Sequence, residues 1–198
     1  VTSINLVKGQ KIDLTKGKAG LTEVIAGLGW DPVTTSKGFF GRKKQADIDC
    51  DASAIMLNAE GKLTKDSNLV CFHNKQSACR SVIHSGDNLT GQGDGDDEQI
   101  RMDLSRIPAD VHKVLIVVNI YDCVNRKQDF GMIEKAYIRI LDGKNSSELV
   151  KFNLSDNYTG STALICGELY RHEGEWKFSA IGEGSHAVHI NELARRYS

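Results

Sequence analysis

A chain of 198 residues, 40% of them hydrophobic and 26% charged, is long enough to bury its own core and short enough to predict a single domain over residues 1–198. Its formal net charge of −1 supplies no basic field to draw in nucleic acid. No apolar run approaches the length of a membrane span, so membrane insertion is not expected either. The first residues, Val1 to Lys8, do not have the pattern of a secretory signal. Strands are then expected at Lys11 to Leu14, after a turn at Lys8-Gly9-Gln10, and at Thr22 to Trp30, anchored by Val24, Ile25 and Leu28. Pro32 to Lys44 is polar and basic and reads as a loop. Asp47 to Asn58 reads as a strand ending in a turn, and Leu69 to His73 and Ser81 to His84 as short strands around a loop. Ile100 to Leu104 resumes regular structure, and Val111 to Tyr121 contains the longest apolar stretch, broken only by Asn119. A short helix is expected at Phe130 to Glu134. Two hairpins follow, Ala136 to Leu141 with Glu148 to Asn153, and Ala163 to Arg171 with Trp176 to Gly182. His189 to Tyr197 is helical in pattern. Many short strands separated by turn signals predict an all-β fold, mainly an antiparallel β-sandwich, with a few short helices including a C-terminal one.

The five cysteines are an odd number, without a CxxC, and most sit among apolar neighbours, which suits buried reduced thiols in a cytosolic protein. Cys71, His73, Cys79 and His84 contain the two thiols and two imidazoles that tetrahedral zinc takes, but at a spacing that matches no usual zinc pattern.

The segment from Ser85 to Glu98 collects Asp87, Asp94, Asp96, Asp97 and Glu98 between glycines, with no Lys or Arg between Arg80 and Arg101. Two carboxylates about 6 Å apart repel by roughly 3 kcal/mol at an effective dielectric of about 20. Such a segment is either extended in water, as acidic surface loops commonly are, or folded around a cation. Gly86, Gly91, Gly93 and Gly95 permit the sharp turns of a wrapped loop, and Asn88 and Thr90 add neutral oxygens. Oxygen donors in a flexible loop suit Ca²⁺ better than Mg²⁺. An EF-hand is excluded, since counting from Asp94 puts Gln99 at position six and Ser105 at twelve, and counting from Asp47 puts Ala52 and Asn58 there. The tandem copies that a calcium β-roll needs are missing. A cation site would therefore be completed from elsewhere. Alternation places Asp47, Asp49, Asp51 and Ser53 on one strand face, and Asp31 follows Trp30 at a strand end. The acidic segment is expected to fold over the ends of these two strands, with the cation tying loop to sheet.

Several stretches together resemble the TerD family, bacterial proteins linked to tellurite resistance and general stress. They are Leu6 to Leu14, Gly27-Leu28-Gly29-Trp30-Asp31, Asp49 to Ala54, Asn74, the long run from Gly86 to Glu98, and Asp129-Phe130-Gly131. The resemblance covers nearly the whole chain; the basic Thr34 to Lys44 stretch, Asp47 and His73 depart from it. It implies a β-sandwich that binds Ca²⁺, with Asp31, Asp87, Asn88, Asp94, Asp96, Asp97 and Glu98 as ligands and Asp49 and Asp51 as further candidates. It also implies a cytoplasmic protein, or one held peripherally at the inner face of the membrane by a partner. The partners it suggests are other tellurite-resistance proteins, including membrane-embedded TerC-type ones.

No catalytic constellation stands out. Ser185 beside His186 has no evident Asp partner and reads as a loop with Ser185 capping the final helix; no GxSxG and no P-loop occur. The expectation is a non-enzymatic, calcium-ordered interaction module of a stress response. The alternative is Ca²⁺-dependent binding or hydrolysis of a phosphate-containing or sugar ligand.

Overall fold

The computed structural model describes residues 3–18, 20–32, 34–35, 44–45, 48–84 and 95–198. In chain order the strands are β1 (Ile4–Leu6), β2 (Lys11–Asp13), β3 (Glu23–Pro32), β4 (Thr34–Thr35), β5 (Lys44–Gln45), β6 (Cys50–Leu57), β7 (Leu69–Val70) and β8 (Val82–His84). Then come β9 (Glu98–Asp103), β10 (Lys113–Ile120), β11 (Ile133–Asp142), β12 (Glu148–Asn153), β13 (Ala163–His172) and β14 (Glu175–Ser185). Two short helices, α1 (Cys123–Arg126) and α2 (Ile190–Ala194), and 3₁₀ turns at Asp66–Asn68, Phe130–Met132 and Arg195–Tyr197 complete the described elements.

The strands pair into two six-stranded sheets. The first has the order β1-β12-β11-β3-β9-β8 and the second β2-β14-β13-β10-β6-β7, antiparallel throughout except for the parallel pair β1 and β12. The period-two pattern decides which side chains meet. Val24, Ala26, Leu28 and Trp30 of β3, and Ile100 and Met102 of β9, point into the sandwich. They face Cys50, Ala52, Ala54 and Met56 of β6 and Val114, Ile116, Val118 and Ile120 of β10. Phe178, completely buried, closes the β14 side of this core.

A second apolar layer lies on the other face of the second sheet. Ile55, Leu57, Leu115, Val117 and Ile165 are covered there by Ala187, Ile190, Leu193 and Ala194 of the C-terminal segment. The central strands β6 and β10 are thus buried on both faces, which is why their sequences run almost continuously apolar instead of alternating.

The architecture is the expected sandwich, and both long hairpins and the C-terminal helix fall where the sequence puts them. Three details differ. Strand β1, only three residues long, gives no period to read and is placed by its parallel pairing with β12. The Pro32 to Lys44 stretch, expected as loop, opens and closes with the two-residue ribbon of β4 and β5. Ser185 ends β14, and its Oγ accepts from the backbone N–H of Ala187 at 3.1 Å; α2 is capped at His189 without a side-chain bond. Among the described residues no helix is long and apolar enough to cross a membrane.

Candidate functional site

The site is built where β3, β9 and β11 run side by side at the C-terminal base of the acidic segment. Residues 85–94 and 46–47 lie outside the described part of the chain, so Asp87, Asn88, Asp94 and Asp47 are not placed. What the structure does place is the stretch Gly95 to Glu98 and the sheet that receives it.

On β3 the outward positions are Gly27, Gly29 and Asp31, and the two glycines leave bare backbone. Asp96 fills the first gap. A Cβ on Gly27 would stand 2.0 Å from Asp96 Oδ2, and one on Gly29 would stand 2.6 Å from the Tyr137 ring. In this slot the Asp96 side chain is wholly buried and accepts from Arg139 Nε at 2.7 Å. Its other donors are Tyr137 Oη at 3.1 Å and Gln99 Nε2 at 3.1 Å. The single Tyr137 O–H is shared between Asp96 and the Gly95 carbonyl, 2.8 Å away, and this pins Gly95 to β11. Burial, and after it the negative charge of Asp96, push the Tyr137 phenol well above its usual range. Partial burial alone would lower the Arg139 guanidinium, but the hydrogen bond and charge of Asp96, reinforced by Glu148, raise it.

The next carboxylates point in different directions. Asp97 Oδ2 accepts from the backbone N–H of Trp30 at 2.9 Å, while the Asp97 N–H donates to the Leu28 carbonyl at 2.7 Å. Glu98 points inward, where its Oε2 lies 2.9 Å from His84 Nε2, each side chain being 1% exposed. His84 is the last described residue before the acidic segment and Glu98 lies just after it, so this buried pair joins the segment's two ends inside the sandwich.

Asp31 sits at the mouth, half-exposed, and its Oδ2 accepts from Lys135 Nζ at 2.8 Å; this hydrogen bond and then the Asp31 charge raise the Lys135 ammonium. Asp31, Gly95 and Asp97 line one side of a depression of about 600 Å³; Lys135, Tyr137, Lys151, Asn153 and Ser155 line the other. Asp49 and Asp51 precede and open β6, on the second sheet. Alternation turns Asp51 to the outer face of that sheet, beside Asn119, away from the depression. The described residues contain no cluster of three or more metal-holding side chains; the nine proposed ligands are divided among a salt-bridged base, a cleft mouth, a second sheet and the undescribed segment. The Cys/His set is likewise dispersed. Cys71 Sγ lies against the His73 ring, Cys79 Sγ against the Ser77 and Ser81 hydroxyls, and His84 against Glu98. All five cysteines are free thiols, and burial drives Cys166 up to about 12.

Arg139, Tyr137 and Lys135 were not singled out by the sequence. The signal that could have found them is the Gly27-x-Gly29 spacing, since paired glycines on one strand face mark a close approach by something else. Gly27→Ala is therefore expected to lose about 2 kcal/mol by overpacking the Asp96 slot. Gly20→Ala, where a Cβ meets nothing within 4 Å, should stay within about 0.5 kcal/mol in the same urea titration.

Fold and site together define a two-sheet β-sandwich whose first sheet receives Gly95 to Asp97, the base of an acidic, glycine-rich stretch of sequence, at its outer face and rim. The chain belongs to the TerD family: residues 2–197 match the TerD domain. It is 54% identical over 198 residues to stress response protein SCP2 of Bacillus subtilis, covering 98% of this chain and 99% of that one. It is 44% identical to general stress protein 16U of the same organism over 92% of this chain and 91% of that one. It is 41% identical to tellurium resistance protein TerD of Serratia marcescens over the same shares, 92% and 91%. The fold is that of a solved homologue of telluride resistance protein (TerD) from Streptomyces coelicolor A3(2). That likeness has a TM-score of 0.66 at 23% identity, over 90% of this chain and 99% of that one.

Proposed function

We propose that this protein is a calcium-binding member of a bacterial stress and tellurite-resistance response, acting in the cytoplasm as an interaction module and not as an enzyme. The observation that carries the calcium reading is the way the carboxylates are divided. Asp96 is held by Arg139 and Glu98 lies against His84, and both serve as anchors, while Asp31 and Asp97 line a depression beside the C-terminal base of the acidic segment. The side chains there offer oxygen donors, with no thiol or imidazole among them, and this is the donor set of a hard cation. Among the described residues Asp31 is engaged by an exposed lysine, an ion pair that a divalent ion displaces at little cost. Asp31 and Asp97, with Asp87, Asn88 and Asp94 of the segment, would hold the ion; Asp49 and Asp51, the further candidates on the second sheet, would belong to a separate ion. When bound, Ca²⁺ supplies charge neutralisation that lets the acidic segment lie against the sheet. Arg139, Tyr137 and His84 hold the base of that segment in register with or without it.

The names of the relatives support the stress assignment. They also favour other tellurite-resistance proteins as partners, with membrane-embedded TerC-type proteins among them, to which the ordered segment would present a surface. Lys135 and Lys151 on the far wall of the same depression favour one second reading, a phosphate-containing ligand bridged to the protein through calcium.

Calorimetric titration with CaCl₂ of the wild type and of Asp31→Asn/Asp97→Asn tests the first reading. Asn keeps the acceptor for the Trp30 N–H, so the fold should persist while affinity falls at least about tenfold, the equivalent of about 1.4 kcal/mol. Equal affinity would remove both residues from the site. Adding inorganic phosphate or nucleotides to the calcium-loaded protein separates the readings: calcium-dependent uptake, or turnover, favours the ligand-binding one.

A further inference from the structure

Strand β11 is irregular where it borders the depression on the first sheet. Glu134 lies opposite Asp31 of β3, but the next paired residue is Tyr137, opposite Gly29, so Lys135 and Ala136 together face Trp30 alone. This is a β-bulge, and its first residue has the left-handed backbone that such bulges usually give to glycine; here it is Lys135, at φ 55°. The bulge itself has a packing reason. One added residue lets Ile133 and Ala136 both pack against the core while Tyr137 and Arg139 keep their places beside Gly29 and Gly27. Nothing in that packing asks for a lysine at the strained position. Lys135 reaches across the strand pair to Asp31, where its Nζ stands 2.8 Å from Oδ2 although the two side chains are 75% and 51% exposed. Glu134, opposite Asp31 on the same face, brings a second carboxylate to this spot, and like charges so paired repel. The charges of Asp31 and Glu134 both act on the Lys135 ammonium.

We infer, resting on the reading of calcium at Asp31 and Asp97, that Lys135 is a tethered counter-ion which fills the cation position at Asp31 and sets how tightly the site takes a divalent ion. One ammonium faces Asp31 and Glu134, with Asp97 on the same depression, and so answers only part of the negative charge gathered there. A divalent ion answers more of it and is favoured over the lysine. A monovalent ion brings no more charge than the ammonium and lacks its tether. The bulge holds the ammonium beside Asp31 at high effective concentration, so its displacement enters every binding event. Lys151 makes the contrast. It lines the same depression, but its Nζ rests over the Tyr137 ring, 4.2 Å from the centroid, and not on Asp31.

The test is calorimetric titration with CaCl₂ at constant ionic strength of the wild type, Lys135→Gln and Lys151→Gln, two variants that remove the same charge from one depression. Lys135→Gln is expected to bind calcium about fivefold more tightly, the worth of an exposed ion pair, and Lys151→Gln to gain no more than about twofold. Peptide mapping of the wild type after brief treatment with acetic anhydride gives a second readout. Lys135 should be acetylated several-fold faster in calcium than in EDTA, because its ammonium has left Asp31, while Lys151 changes little. Calcium binding by all three proteins, with Lys135→Gln no tighter than the wild type or than Lys151→Gln, would overturn the inference and leave the calcium site standing. Equal acetylation of Lys135 in calcium and in EDTA would do the same. No calcium binding by any of the three would remove the site itself, and the role of Lys135 with it.

Discussion

Replacing His84 with Leu is expected to destabilise the protein by about 3–5 kcal/mol, the largest effect of any single change discussed here. Leu fills most of the imidazole's volume, so the loss comes from Glu98. Its carboxyl group is 1% exposed and faces His84 Nε2 at 2.9 Å, and removing the imidazole takes that contact from a polar group deep in the sandwich beside Ile100 and Val82. The effect should be read from urea denaturation as a lower midpoint at unchanged slope. Replacing both members by apolar residues should recover most of the loss, because buried ion pairs seldom exceed well-packed hydrophobic substitutes in net stability. A loss below about 1 kcal/mol for His84→Leu would mean that the pair does not clamp the segment's ends.

The second large effect concerns Arg139. Arg139→Met keeps the aliphatic stem but leaves Asp96, whose side chain has no exposure, with Tyr137 and Gln99 as its donors among the described residues. Arg139 itself is 27% exposed, so water offsets part of the penalty, and about 3 kcal/mol is expected. Asp96→Asn/Arg139→Met should be markedly more stable than Arg139→Met alone, since an amide needs no counter-charge in the slot above Gly27. Additive losses in this double-mutant cycle would show that the two side chains do not act as a pair.

Much of the sandwich was legible because its physics is local. The hairpins around Asp142-Gly143-Lys144-Asn145 and His172-Glu173-Gly174-Glu175 carry their own turn chemistry, and Val114 to Ile120 can only be a strand buried on both faces. The reading missed β1, three residues held by a parallel partner far along the chain, and α1, a single turn between Cys123 and Arg126. At the site, the acidic run was conspicuous but its division was not. Asp96, Asp97 and Glu98 are neighbours in sequence, yet only Glu98 belongs to β9, and the irregular backbone before it sends the three to Arg139, the Trp30 N–H and His84. Those partners come from β11, β3 and β8, so no spacing in the sequence announces them. Asp51 shows the converse: alternation placed it correctly on a face with Ser53, but only the tertiary structure shows that this face belongs to a different cleft.

Like charges this close together on glycine-rich backbone are tolerated, on this reading, because a divalent ion joins Asp31 and Asp97 to the segment beside them. Thermal melting in millimolar CaCl₂ against excess EDTA tests that directly. Calcium at about a hundred times its dissociation constant adds about 2.7 kcal/mol, which for a domain of this size raises Tm by about 5–10 °C. Asp31→Asn/Asp97→Asn should abolish most of the shift. Identical melting of the wild type in calcium and in EDTA would contradict the calcium site.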